Sequence, residues 1–275
     1  MKRVESIAEL DNALGNRLDS SIAFVPTMGA LHLGHAALVE RARALASTTV
    51  LSIFVNPLQF GDPNDFTRYP RNLDADSKVA EQFGVDVLWT PTEEDIYPPG
   101  VEIAHISPGE LGDQYEGAIR PGHFAGVLTV VSRLFDVVRP DIAIFGEKDR
   151  QQLELVRRMA IGQGRVEIIA VPIVREADGL ALSSRNRFLT PSERMLALGI
   201  SRAIHRAQQA GGGGVLAILD AIEEELSPLD IEYVHLVDAK TWALVDGDFS
   251  GEAILLIAAK VGSVHLIDNG IVRIG

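Results

Sequence analysis

Two histidines, His32 and His35, stand three residues apart in Phe24-Val25-Pro26-Thr27-Met28-Gly29-Ala30-Leu31-His32-Leu33-Gly34-His35. On one turn of helix they share a face, where two imidazoles form a donor pair for phosphate oxygens. Half of a metal site, or ordinary surface residues, are the alternatives at this spacing. A second set is Gly146-Glu147-Lys148-Asp149. Lys148 suits phosphate as a point charge. A phosphate repels Asp149 unless a cation bridges them, so the pair suggests nucleotide phosphates with Mg²⁺; the plain alternative is a charged helix start. Ser183-Ser184-Arg185 offers two hydroxyls and a permanently charged planar fork, or simple turn residues. Gln59 and Gln152 carry amides that suit a polar small molecule, although a lone glutamine is commonly just surface. His105, His205, His235 and His265 show no ligand spacing and read as structural.

The elements around these residues fit that chemistry. Ile22 to Val25 reads as a buried strand that Pro26 ends, because proline cannot donate to a ladder. Ala36 to Leu45 has helical spacing. A helix starting near Gly34 aims its free N–H groups and positive dipole end into the turn, and Gly29 and Gly34 let the backbone approach a ligand. Thr49 to Val55 is a second strand, running into Asn56-Pro57-Leu58-Gln59-Phe60-Gly61. Asp141 to Phe145 is another, running into Gly146 to Asp149. Helices are expected over Ile7 to Leu18, Leu73 to Phe83, Phe124 to Val138 and Gln151 to Ala160, with strands over Val85 to Trp89 and Val166 to Val174. Asp62 to Arg71, Pro91 to Gly100 and the long Gly109 to Gly122 read as loops, and Val101 to Ile106 as a short strand. Alternating strands and helices imply a Rossmann-like, doubly wound parallel sheet, whose strand ends gather the three turns on one side.

Beyond Val174 the pattern changes. Arg175 to Asn186 is polar loop. Thr190, Pro191 and Glu193 spell a capping box opening a helix to about Gln209. Gly211 to Gly214 reads as a flexible spacer before a helix over Val215 to Leu226. Three strands follow over Ile231 to Val237, Ala253 to Ala259 and Ser263 to Ile267. The expectation is an α/β domain over 1–174 and a smaller α+β domain over 175–275.

At 275 residues the chain has room for a substantial core, and 47% hydrophobic with 23% charged residues is ordinary globular composition. A net charge of -13 argues against a broad nucleic-acid footprint. With no cysteine there is no disulfide, thiolate metal site or cysteine nucleophile. Met1 to Leu10 lacks an apolar signal core and no run reaches membrane-spanning length, so a cytoplasmic enzyme or binding protein is expected. Neither a GxSxG elbow nor a GxxxxGK[ST] loop occurs; positioning and charge, rather than a covalent nucleophile, are the expected mechanism.

The combination of motifs resembles the pantothenate synthetase (pantoate–β-alanine ligase) family. The resemblance is carried by Pro26 to His35, by Phe54-Val55-Asn56-Pro57-Leu58-Gln59-Phe60-Gly61, and by Phe145-Gly146-Glu147-Lys148-Asp149 with Gln151-Gln152-Leu153. Ser183-Ser184-Arg185-Asn186, Arg120-Pro121-Gly122-His123-Phe124 and Leu266-Ile267-Asp268-Asn269 add to it. HxGH alone marks a wide superfamily of nucleotidyl transferases and class I aminoacyl-tRNA synthetases; with NPxQFG and GEKDxQQ it is far more specific. The likeness implies that ATP and pantoate give pantoyl adenylate and pyrophosphate, and that β-alanine then gives pantothenate and AMP, a step of pantothenate and coenzyme A biosynthesis. It assigns Met28, Gly29, Ala30, Leu31, His32, Leu33, Gly34 and His35 to ATP, with His35 as proton donor. Gly146, Glu147, Lys148, Asp149, Val174, Leu182, Ser183, Ser184 and Arg185 join them. Gln59 is assigned to pantoate and β-alanine, Gln152 to pantoate, Asp149 to Mg²⁺, and a catalytic part to His32, Lys148, Ser183 and Arg185. A homodimer without nucleic-acid or membrane partners is implied.

Two positions depart from the family's pattern. Leu182 stands where methionine is usual, and His265 where arginine commonly precedes Leu-Ile-Asp-Asn; the first is an apolar exchange of similar size. A reactive acyl adenylate needs protection from water, for which Gly109 to Gly122 and the C-terminal domain are the expected cover. The rivals are a nucleotidyl transferase that moves a whole nucleotide, and a nucleotide sensor without catalysis. The transferase would form no free AMP and does not need a two-carboxylate pocket around Gln59 and Gln152; the joint presence of His35, Lys148 and Arg185 argues against the sensor.

Overall fold

The structure, a computed structural model, describes residues 1–15, 20–61, 63–103, 105–164 and 166–275. The chain divides into two compact units, Met1–Pro172 and Ile173–Gly275.

The first unit contains strands β1 (Lys2–Val4), β2 (Ile22–Thr27), β3 (Thr48–Ile53), β4 (Val87–Trp89), β5 (Ile142–Gly146) and β6 (Glu167–Val171). Its helices are α1 (Ile7–Leu14), α2 (Leu33–Leu45), α3 (Pro63–Arg68), α4 (Leu73–Phe83), α5 (Glu93–Ile96), α6 (Glu116–Ile119), α7 (His123–Val138) and α8 (Arg150–Gln163). The strands form one parallel sheet in the order β1-β4-β3-β2-β5-β6. From β2 the chain builds β3 and β4 to one side, then β5 and β6 to the other. The order therefore reverses between β2 and β5, the point where open α/β sheets form a crevice at their carboxyl ends. Val25, Leu51, Leu88 and Ile144 of the sheet pack with Val39, Ala42 and Ala80 of α2 and α4. Both faces are covered, so the central strands read as continuous apolar runs.

Several sequence expectations change. β2 continues through Pro26 to Thr27, with Pro26 opposite Ser52 of β3. Pairing of β2 with β5 reaches only Phe24, so on that side the ladder has ended before the missing proline N–H is felt. Helix α1 stops at Leu14, where Gly15 takes φ +59°; its expected end at Leu18 lies outside the described residues. The expected polar loop after Gly61 contains α3, secured by Thr67 Oγ1 donating to the Pro63 carbonyl at 2.8 Å and by Phe60 packed edge-on to Phe66 and Tyr69; Asp62 lies outside the described residues. The proline-rich loop contains α5, opened by a Thr92–Asp95 capping box. The expected strand over Val101 to Ile106 is not formed among its described residues, Ala104 lying outside them.

The second unit contains α9 (Pro191–Ala210), α10 (Gly214–Leu226) and strands β7 (Asp230–Asp238), β8 (Gly251–Val261) and β9 (Val264–Ile274), which form an antiparallel sheet in the order β7-β8-β9. The Thr190 capping box forms as the sequence predicts, with Pro191 at the helix start. Ile200 and Ile204 of α9 and Ile218 and Ile222 of α10 share a core with Leu255, Ile257 and Val272. The four-glycine run is not a loose spacer. Gly211 to Gly213 form a 3-10 turn, and a Cβ on Gly211 would lie 2.1 Å from the Arg273 carbonyl oxygen. The Arg175 to Asn186 stretch is likewise ordered: an Arg175–Ala181 bridge closes a hairpin and Ser184–Phe188 form a 3-10 turn.

Candidate active site

The turn after β2 organises itself through its two imidazoles. His32 caps α2, its Nδ1 accepting from the Gly34 N–H at 3.1 Å, while His35 Nδ1 accepts from the His32 N–H at 3.2 Å. This is a capping box built from histidines, each replacing a shorter polar side chain. A backbone N–H only donates, so each ring keeps its proton on Nε2. The rings lie 4.2 Å apart between centroids. Burial, and then the neighbouring His32, push His35 down to about 3. At neutral pH it is therefore an uncharged N–H donor.

The backbone N–H groups of this turn are largely committed. Gly29 donates to Thr27 Oγ1, Ala30 and Leu31 to the Asp76 carboxylate, and His35 to the His32 carbonyl. The expectation of free helix N–H groups aimed at an anion is thus corrected. What the turn fixes instead is its two imidazoles, each accepting a backbone N–H at Nδ1.

The turn after β3 holds Gln59 in one orientation. Asn56 Oδ1 accepts from the Leu58 N–H, and its Nδ2 donates to the Gly126 carbonyl at 3.1 Å. These backbone partners fix the Asn56 amide, which then donates to Gln59 Oε1 at 3.1 Å. Gln59 Nε2 consequently turns toward Met28 Sδ, 3.1 Å away. The Tyr97 hydroxyl donates to Asn56 Oδ1 at 2.7 Å. Helix α7 approaches this turn so closely that a Cβ on Gly126 would lie 2.3 Å from the Leu58 carbonyl oxygen. The first residue of α7, His123, is buried, and its Nδ1–H donates to the Gln59 carbonyl at 2.8 Å. Burial pushes His123 down to about 4, with the Arg120 charge acting in the same direction. The sequence reading assigned His123 no individual role; its signal was the Arg-Pro-Gly-His motif.

After β5, Glu147–Asp149 form a 3-10 turn leading into α8. Lys148 Nζ lies 3.8 Å from Asp149 Oδ1, and Arg150 pairs with Glu147 at 3.1 Å. Asp149 is half-exposed; a single carboxylate with open positions suits Mg²⁺ brought in on phosphates, because that ion commonly takes one or two protein carboxylates and keeps its other ligands. No group of three or more metal-ligating side chains occurs among the described residues. Gln152 is half-buried on α8.

Its neighbour Gln151, unassigned from sequence, is buried and fastens the preceding segment. Its Oε1 accepts from the Glu116 N–H, and its Nε2 donates to the Leu111 and Gln114 carbonyls at 2.6 and 2.8 Å. Gly109 to Gly122 is therefore a pair of short helical turns, Glu110–Asp113 and α6, rather than an irregular loop. Gly117 is needed there, since a Cβ would lie 1.8 Å from the Gly112 carbonyl oxygen.

In the second unit, Ser183 caps the 3-10 turn that carries Ser184 and Arg185, its Oγ accepting from the Arg185 N–H. Val174 and Leu182 face each other across the hairpin, the Leu182 N–H donating to the Val174 carbonyl at 2.9 Å. Arg175 grips Asp268 through both guanidinium nitrogens, at 2.6 and 3.0 Å, and Arg194 bridges Glu176 and Asp178. This gives the late Asp268 a concrete task, holding the hairpin that leads to Ser183. His265 pairs with Glu232 at the surface of β9.

A parallel sheet with a histidine-capped turn and a lysine-bearing turn flanking its switch point defines a Rossmann-like α/β protein. Residues 2–271 match the Pantoate-beta-alanine ligase family model, and the chain belongs to that family. It is 45% identical over 281 residues to the pantothenate synthetase of Thermobifida fusca (strain YX), covering 98% of this chain and 93% of that protein. The crystal structure of pantothenate synthetase from Thermus thermophilus superposes with a TM-score of 0.92 at 44% identity, over 98% and 99% of the two chains. That of pantoate-beta-alanine ligase from Francisella tularensis, complexed with beta-gamma ATP and beta-alanine, gives 0.83 at 33% identity, over 98% and 97%.

Proposed function

We propose that the protein is an ATP-dependent ligase that condenses pantoate with β-alanine to pantothenate, releasing AMP and pyrophosphate. Family membership across residues 2–271 is the observation that carries this reading. A pantoate carboxylate oxygen attacks the α-phosphorus of ATP, and the bond to pyrophosphate breaks. The β-alanine amine, having lost its extra proton, attacks the acyl carbon, and the bond to AMP breaks. Charge develops on phosphate oxygens in the first step. His32 and His35 are assigned as Nε2–H donors to those oxygens, and Lys148 as their counter-charge. His35, assigned as proton donor, carries its ring proton on Nε2. Gln59 is assigned to pantoate and β-alanine, its N–H edge suiting their oxygens, and Gln152 to pantoate. Met28 to His35 and Gly146 to Asp149 are assigned to the nucleotide. Asp149 is the group that would hold Mg²⁺, which when bound screens the polyphosphate charge.

The first unit is assigned nucleotide and pantoate binding. The second, carrying Val174, Leu182, Ser183, Ser184 and Arg185, is assigned the part of a cover that adds donors to ATP. Gly109 to Gly122, fastened by Gln151, is proposed to share the cover with the second unit. We further propose a cytoplasmic homodimer; among the described residues no helix is long and apolar enough to cross a membrane, and light scattering of the purified chain tests the dimer.

Pantoate-dependent exchange between ATP and labelled pyrophosphate tests the adenylate step. Exchange with pantoate in the absence of β-alanine is expected. Exchange that needs no pantoate, or none at all in folded protein, would count against the ligase reading and favour a nucleotidyl transferase or a sensor.

A further inference from the structure

We infer that Asp76, from α4, is the positioning residue of the nucleotide-binding turn: its buried carboxylate, rather than a bound anion, holds the Gly29–Leu31 backbone in its working conformation. Asp76 is 5% exposed, and each of its carboxylate oxygens accepts a backbone N–H. Oδ2 takes that of Ala30 at 3.0 Å and Oδ1 that of Leu31 at 2.8 Å. The turn they secure is one the chain does not adopt freely. Gly29 lies at φ +83° and Ala30, which has a side chain, at φ +50°; such a conformation persists only where surrounding contacts over-determine it. The fit is close from the other side as well, because a Cβ on Gly29 would lie 2.9 Å from Asp76 Oδ2.

A carboxylate beneath a turn meant for phosphate is unfavourable as a charge. Its value is geometric. By occupying the Ala30 and Leu31 donors it aims the following segment, in which His32 caps α2 and each imidazole accepts a backbone N–H at Nδ1. Asp74, two residues earlier on the same helix, carries the same charge but is 92% exposed, and so serves as a control for electrostatics alone.

This inference rests on the reading that the turn binds ATP, and two measurements separate their failures. In steady-state kinetics, Asp76→Asn places an NH₂ group against one of the two backbone donors. It is expected to raise the KM for ATP about tenfold or more, leaving the KM for pantoate within about twofold, because the turn and not the pantoate pocket moves. Asp74→Asn is expected to match the wild type in both. An unchanged KM for ATP in Asp76→Asn overturns the inference, as does an equal rise in both KM values with a lowered Tm, the mark of a merely structural carboxylate. Amide hydrogen exchange in the wild type needs no variant to fold. Ala30 and Leu31 are expected to be protected without nucleotide and no better protected with ATP. Fast exchange that ATP slows would mean that phosphate, not Asp76, orders these donors. A wild type that forms no AMP would sink the ligase reading, and the exchange experiment would still decide the role of Asp76.

Discussion

Within the site, side chains are spent on fixing other polar groups as much as on meeting a ligand. His32 and His35 each use one ring nitrogen to cap the chain, which leaves the ring proton on the other. That arrangement requires neutral rings, since a doubly protonated imidazole accepts nothing. The consequence for catalysis is that His35→Ala removes a preorganised donor, and its kcat/KM is expected to fall about 10²- to 10³-fold in an AMP-release assay. A second consequence concerns pH. His35 and His123 lie near 3 and 4, against an ordinary 6.5. Between those values the unfolded chain binds more protons than the folded one, so stability is lost as pH falls below about 6.5. His123 alone contributes about 2 kcal/mol of that loss by pH 5. The test is Tm against pH: the fall between pH 6.5 and 4.5 is expected to flatten in His123→Asn, and an unchanged slope would refute the assignment.

The elements show where a local pattern sufficed and where it did not. Helix α4 and the Thr190 capping box were legible because their signals are local, a 3.6-residue period and a start sequence at fixed offsets. Pro26 misled because the rule against proline in a strand depends on which neighbours still pair at that position, a fact of sheet order. The glycine run misled because Gly211 is required by the distant Arg273 carbonyl. The HxGH stretch was legible as a turn between a strand and a helix, but not the partner of the donors inside it, since Asp76 arrives from another helix. Gln151 and Asp268 escaped individual assignment for the same reason: their partners are 35 to 40 and 93 residues away. Gln151→Ala leaves three backbone groups without that partner and is expected to cost about 3 kcal/mol in chemical denaturation. Gly211→Ala is expected to cost at least about 2 kcal/mol, because backbone rather than a flexible side chain stands in the way.

Across the whole molecule, the parallel sheet of the first unit brings three turns from separate parts of the chain to one edge. The second unit builds its own support for Ser183 to Arg185 through Arg175 and Asp268. Asp268→Ala strands a partly buried guanidinium and is expected to destabilise that unit by about 2 kcal/mol, read as a lower midpoint in denaturant. The reaction itself is read out by AMP formation from ATP and Mg²⁺ with pantoate and β-alanine supplied singly and together. The prediction is AMP and pantothenate in equal amounts, formed at appreciable rate only with both substrates. AMP formed without pantoate, or none from folded, ATP-binding protein supplied with both, would contradict it.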